Sequence, residues 1–338
     1  MSPDGHVARV TWSMRLRYLL YGIAGLFLLA GSGFGYLYFR RPSIAPPLKI
    51  HVEATAERVA RGRYLFMLSD CDGCHSERDF TRFGGPVVPG GRGKGGVLAI
   101  AGLPGRVVAP NITPDRETGL GTWSDGEKIR AIREGIGKDG RPLFPMMPYQ
   151  GLRSMSDDDV QSLVAFLNTL APVKNVLPRT EIQFPVSMLM KGAPEPAGSV
   201  PAPDSKNPQV YGEYLSTIGG CVECHTPKGS KGAPDLSMKF AGGMLFETPS
   251  GAVVSANITP HEDTGIGKWD YARFAERFRA YQPYFENGPP SAGPERFTLM
   301  PWLNLSQLTD EDLEALFTYL RSLPPMEHKV ETHPKTRT

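Results

Sequence analysis

Apolar residues run unbroken at one place in this chain and return at helical spacing at several others. The unbroken run is residues 18–39, "YLLYGIAGLFLLAGSGFGYLYF", with no charged side chain in 22 positions. A helix of that length crosses the ~30 Å hydrocarbon core of a bilayer. Tyr18, Tyr21, Tyr36 and Tyr38 near its ends suit the two membrane interfaces. A cleaved signal peptide is the rival reading, with "AGS" as the small-residue cut. The stretch outruns the ~7–15 residues of a signal core, however, and stays apolar past that point. A retained transmembrane helix at 18–39 is expected, with 1–17 as a cytoplasmic N-terminus. The flanking arginines nearly balance, so they orient it only weakly.

The helical rhythm begins with residues 54–68, which set Val59, Leu65, Phe66 and Leu68 on one side, and it is repeated at 207–217. Residues 124–134 and 270–280 read as helices started by Ser124 and Asp270. A last pair opens at Ser156 and Thr309, each an N-cap followed by an acidic first turn. Behind those caps come Val160, Leu163, Val164, Leu167 and Leu170, and in the second copy Leu313, Leu316, Phe317, Leu320 and Leu323.

These paired elements belong to an internal repeat. "RGRYLFMLSDCDGCH" lies over "YGEYLSTIGGCVECH", matching Gly62 with Gly212 and Tyr64 with Tyr214. "GRVVAPNITPDRETGLGTWSD" lies over "GAVVSANITPHEDTGIGKWDY", "MPY" over "MPW", and "MSDDDVQSLVAFLNTLAPV" over "LTDEDLEALFTYLRSLPPM". Four blocks in one order define two mainly helical domains, 52–172 and 207–326, with a short tail at 327–338. Between the domains, residues 173–206 form a proline-rich linker expected to be extended. Its segment "EIQFPVSMLM" is apolar enough to pack on a domain surface.

Composition narrows the function. A net charge of +2 over 338 residues, with no long run of like charge, is too small to suggest nucleic acid. With 38 glycines and 32 prolines, loops and turns must surround the helices. The chain has four cysteines, all in two CxxCH motifs: Cys71, Cys74 and His75, then Cys221, Cys224 and His225. Two CxxC pairs can complete a zinc site, and each pair alone can be a redox dithiol. Both readings leave the adjacent histidines idle. Covalent haem c uses every element, with the thiols holding the porphyrin and the histidine reaching the iron. Two haem c groups are therefore expected.

A second axial ligand decides what such an iron can do. Met147 and Met300 occupy equivalent places, each followed by proline and an aromatic, and are the expected distal ligands. A methionine is more often a flexible core filler; matched position in both copies favours ligation. Met146 is an alternative that only the repeat register argues against. Other signals fade. "GRGKGG" at 91–96 fits a nucleotide loop in spelling but has no strand before it. Asn111 and Asn257 start glycosylation sequons, but the repeated "NITP" is better explained as a structural turn or cap. Trp123 and Trp269 are expected in the core or in pocket walls, and no remaining histidine suits a distal ligand.

The blocks "APNITPDRETGLGTWSDGEKIRAIREG", "LFPMMPY" and "MSDDDVQSLVAFLNTL" resemble the cytochrome c subunits of bacterial membrane-bound alcohol and gluconate dehydrogenases. The resemblance covers roughly residues 52–326. It implies two tandem class I-like cytochrome c domains, here after one N-terminal transmembrane helix. It also implies a periplasmic location at the bacterial inner membrane and electron transfer between a dehydrogenase or quinol-linked donor and a respiratory acceptor. Those subunits usually carry three haem domains, and this chain carries two. The competing class is a dihaem peroxidase, which needs an openable iron and an acid–base group beside it. A thiosulfate-type dehydrogenase with cysteine ligation fails for want of a fifth cysteine.

Overall fold

The computed structural model describes residues 4–229, 234–248, 251–291 and 297–334. The first three residues of the expected cytoplasmic N-terminus and the last four of the expected tail lie outside the described residues. Helix α1 spans Asp4–Phe39, longer than the apolar run, and its segment Leu16–Phe39 is long and apolar enough to cross a membrane. None of that segment is buried by the rest of the protein.

The first repeat runs through α2 (Ala56–Leu68), α3 (Cys71–His75), a small antiparallel pair of β1 (Gly96–Val97) and β3 (Val108–Ala109), then α4 (Asp125–Glu134), α5 (Tyr149–Leu152) and α6 (Asp157–Thr169). Strand β2 (Gly105–Arg106) lies between β1 and β3 in the chain and pairs with the linker. The helix starts follow their capping chemistry. Ser124 and Glu127 close a reciprocal capping box on α4, and the Ser156 hydroxyl accepts from the Asp159 N–H on α6. Beyond the linker come α8 (Pro208–Ile218), α9 (Cys221–His225), a hairpin of β5 (Leu245–Thr248) and β6 (Gly251–Val254), α10 (Tyr271–Arg279), α11 (Gln282–Asn287), α12 (Trp302–Leu305) and α13 (Asp310–Ser322).

Each domain is built on its first helix crossing its last, α2 on α6 and α8 on α13. The crossings are close because glycine sits at both. A Cβ on Gly62 would collide with the Ser162 carbonyl, and one on Gly212 with the Ala315 carbonyl. Leu65, Phe66, Leu163 and Val164 fill the first crossing, and Leu215, Ile218, Leu313 and Leu316 the second. Val59, Leu170, Phe317 and Leu323, expected on the buried sides, are partly buried at the margins of this core.

The linker differs from its expected extended form. Within it, β4 (Glu181–Ile182) pairs antiparallel with β2, and α7 (Val186–Leu189) sets Met188 into the protein. Apolar side chains in "EIQFPVSMLM" give this stretch a surface to fold against, whereas the flanking prolines keep the remainder open.

The two domains share one continuous core cluster and touch through matched elements. Helix α5 of the first packs on α8 of the second, and α12 of the second packs on α2 of the first. Repeat-equivalent residues also form exchanged hydrogen bonds. The Tyr64 hydroxyl donates to Asp312 Oδ2 and accepts from the Thr309 N–H. The Tyr214 hydroxyl donates to Asp159 Oδ2 at 2.6 Å and accepts from the Ser156 N–H at 3.2 Å. Each tyrosine thus satisfies the N-cap and the acidic first turn of the other domain's last helix.

Candidate metal centres

Both CxxCH motifs are single helical turns entered through a left-handed residue, Asp70 at φ 45° and Gly220 at φ 66°. The reversal lets the chain leave the long helix and turn at once, so that two cysteines one turn apart share a side. Cys71 and Cys221 pack against the core cluster. Burial pushes the Cys74 and Cys221 thiols up to about 11, which keeps both in the neutral form. The Cys224 thiol, open on one side, is pushed up to about 12 by burial and then by Cys221, Asp70, Glu223 and Cys74. Asp70 and Cys74 belong to the other repeat, so the two attachment turns lie within electrostatic reach of each other.

The histidines are held alike. His75 Nδ1 lies 2.8 Å from the Pro110 carbonyl and His225 Nδ1 lies 2.8 Å from the Ala256 carbonyl. A carbonyl can only accept, so Nδ1–H donates and Nε2 carries the free lone pair. Burial lowers both imidazoles below the ordinary histidine value, which favours this neutral form. A backbone acceptor behind Nδ1 is the usual device for orienting a ligating imidazole and raising its basicity.

The acceptor carbonyls are fixed by the turn after them. Asn111 Oδ1 accepts from the Thr113 N–H and hydroxyl, while its amide donates to Thr118 and to the Val173 carbonyl. Asn257 repeats this with Thr259, Thr264 and the Met326 carbonyl. The "NITP" segments are therefore structural brackets, as their repetition implied. On the other side, the Gly95 N–H donates to the His75 carbonyl and the Gly242 N–H to the His225 carbonyl. Both glycines have positive φ, 74° and 73°, and a Cβ on either would strike the backbone that carries the acceptor carbonyl. This gives "GRGKGG" its purpose: it brings backbone under the histidine. Gly95, Gly242, Pro110 and Ala256 were not identified from sequence. A backbone carbonyl leaves no residue signature; the recurrence of glycine ahead of each "NITP" block was the one available sign.

Met147 and Met300 pack against the core cluster from equivalent turns. The Tyr149 N–H donates to the Met147 carbonyl at 2.8 Å and the Trp302 N–H to the Met300 carbonyl at 2.7 Å. With Pro148 at φ −79°, ψ 42° and Pro301 at φ −77°, ψ 56°, each is an inverse γ-turn. Proline suits it because the ring already fixes φ. The buried Tyr149 ring and the Trp302 ring, stacked 5.0 Å from Tyr281, anchor the two turns.

Among the described residues no group of three or more His, Cys, Asp or Glu side chains is arranged to hold a metal ion. Each CxxCH turn instead presents paired cysteine thiols beside an imidazole whose Nε2 is left free, and these donors fit haem c. Of the other aromatics, Trp269 packs on the core under the Arg273 guanidinium, and Trp123 is half-exposed. His261 bonds to Thr264 and His328 to the Ala241 carbonyl.

The family model for cytochrome c matches residues 59–171 and 210–324. One subunit of the nicotinate dehydrogenase of Pseudomonas putida is 30% identical over 95% of this chain, which covers 26% of that protein. The fructose dehydrogenase cytochrome subunit of Gluconobacter japonicus is 32% identical over 80% of the chain, which covers 54% of it. The chain therefore spans about half or less of these dehydrogenase subunits. By contrast, it covers 98% of a "diheme cytochrome c-type" protein of Cereibacter sphaeroides, at 30% identity over 90% of the chain. Thiols, histidine brackets and family match recur together, once in each half of the molecule, and on that ground the chain belongs to the cytochrome c family, as a two-domain member with two covalently bound haem c groups.

Proposed function

We propose that this protein is a membrane-anchored electron carrier, taking electrons from a dehydrogenase partner or a quinol-linked donor and passing them to a respiratory acceptor. In this reading α1 holds it at the bacterial inner membrane with both haem domains in the periplasm. Cys71, Cys74, Cys221 and Cys224 attach the porphyrins, His75 and His225 are the proximal ligands, and Met147 and Met300 the distal ones. Bound haem iron supplies one-electron cycling, with a potential that thioether ligation raises relative to a second imidazole. The chain's own residues keep each imidazole neutral and aimed, and they hold the two attachment turns within electrostatic reach of each other.

The observation that carries this reading is the paired bracket, Nδ1 of His75 on Pro110 and Nδ1 of His225 on Ala256. Both Nε2 atoms face the same task, and a methionine stands at the matching turn of each domain. With haem bound, the histidine Nε2 and the methionine thioether of each domain would hold its iron, and a centre held in this way would support outer-sphere electron transfer.

The test is on protein purified from membranes in mild detergent. A pyridine haemochrome assay is expected to give two haems per chain, with a methionine–iron charge-transfer band. A dehydrogenase subunit is expected to accompany the protein. One haem per chain, or haem extractable by acid acetone, would overturn the assignment of both centres; slow reduction by every accompanying dehydrogenase would overturn the carrier role.

A further inference from the structure

The linker segment around α7 sits against the end of the membrane helix rather than on a haem domain alone. The Phe184 ring lies 6.2 Å from the Phe34 ring, and Lys191 Nζ donates to the Tyr38 carbonyl at 2.9 Å. Lys191 also lies over the Tyr38 ring at 5.6 Å, and the Arg40 guanidinium is packed beside Gly192. Yet Phe184 remains 66% exposed and Leu189 55% exposed, two large apolar side chains with little protein around them.

Their level along α1 identifies what covers them. Phe34 is five residues inside the apolar segment that ends at Phe39. At 1.5 Å per residue that is about 7.5 Å below the helix end. A 24-residue segment is about 36 Å long, some 6 Å more than the hydrocarbon core, so Phe34 stays inside the boundary even when the excess is shared between the two ends. A ring packed on Phe34 must then be at lipid depth as well. Lys191, at the level of Tyr38, and Arg40 lie about one to two turns further out, where phosphate headgroups begin. An apolar edge sunk roughly 5–10 Å below a basic rim is the geometry of an interfacial membrane contact.

We infer that the linker carries a second membrane contact: Phe184 and Leu189 insert among phospholipid acyl chains beside α1, with Lys191 and Arg40 at the headgroups. The inference rests on the anchor reading of α1. The contact is rigidly joined to the first haem domain. Strand β4 pairs with β2, the Gln183 N–H donates to the Pro104 carbonyl at 2.7 Å, and Met188 is buried. A lone helical tether would let the haem domains swivel; two contacts at one membrane edge fix which face of the first domain looks at the bilayer.

The test uses the full haem-loaded chain in phospholipid nanodiscs. Thioether bonds consume the four native thiols, so an introduced cysteine is the free one. Phe184→Cys, Leu189→Cys and Phe34→Cys are labelled with a membrane-impermeant maleimide, with Leu236→Cys, 69% exposed on the second domain, as the solvent reference. Labelling at 184 and 189 is expected to be about tenfold or more slower than at 236, as at 34, because acyl chains exclude the reagent. A lipid bearing an acyl-chain diazirine is expected to crosslink to the 183–189 segment. Labelling at 184 and 189 as fast as at 236, with 34 protected, would overturn the second contact and leave the anchor standing. Fast labelling at 34 would overturn the anchor and the inference together. Protection without lipid crosslinking would mean that protein covers the segment, and would also overturn it.

Discussion

Met146 and Met147 carry the same side chain and differ in the residue that comes next. Only Met147 precedes the proline of an inverse γ-turn, and only that context recurs at Met300. Met147→Leu is expected to abolish one haem's methionine–iron band and lower its potential, while Met146→Leu leaves both haems nearly unchanged. Optical spectra and a redox titration of the two variants check this; loss of the band with Met146→Leu would shift the register by one residue. The matched placement of Met147 and Met300, and of the two CxxCH turns, was legible in the sequence because it repeats in both copies. What orients them was not. The Pro110 carbonyl reaches the His75 ring from 35 residues away, and any residue type can offer a carbonyl. Gly95 is informative only once the strand it must clear is known.

Among the elements, the longer helices of the two domains were readable to within two residues because caps and apolar spacing agree: Ser124, Ser156, Asp270 and Thr309 each cap the helix they were expected to start. The single-turn helices α3, α5, α9 and α12 were not, since four or five residues carry no period. Nor was the exchange between domains, because Tyr64 meets Asp312 from 248 positions away. Tyr64→Phe removes the hydroxyl and leaves the buried Asp312 carboxylate and the Thr309 N–H short of a partner. It is expected to lower stability by about 1–3 kcal/mol, measured by denaturant unfolding of the holoprotein. In a double-mutant cycle with Asp312→Asn the two losses are expected to be strongly non-additive. Tyr214→Phe is expected to behave similarly against Asp159, which Arg61 also holds in a two-point ion pair at 2.8 Å on each arm.

At the scale of the whole molecule, two domains, one membrane helix and a structured linker meet in a single body. The duplication was evident from sequence, but nothing in it said that the copies would face each other through equivalent residues, since pairing across a pseudo-axis leaves no trace in either copy. The prediction at this scale concerns separation. A protease site placed at the exposed residues 204–206 keeps the linker with the first domain it packs on, and leaves each domain's helices and its tyrosine, N-cap and acidic turn intact. Cleaved halves are expected to stay together at high concentration and to part on dilution, as size-exclusion chromatography would report. Association that persists at nanomolar protein would show that the shared apolar core holds the halves together without the tether.

That dependence on dilution shows what the reciprocal tyrosines require of the interface. In the unbroken chain the partner is always present at an effective concentration on the order of millimolar. A contact that would be feeble between free molecules is then closed nearly all the time. Losing one hydroxyl would weaken docking by a factor of ten or so, yet a tethered pair with a micromolar intrinsic constant would still be shut in about ninety-nine copies of a hundred. Covalent proximity therefore buffers the relative placement of the two haem sites against mutation, and sequence drift at the interface is tolerated while the chain between the domains stays whole.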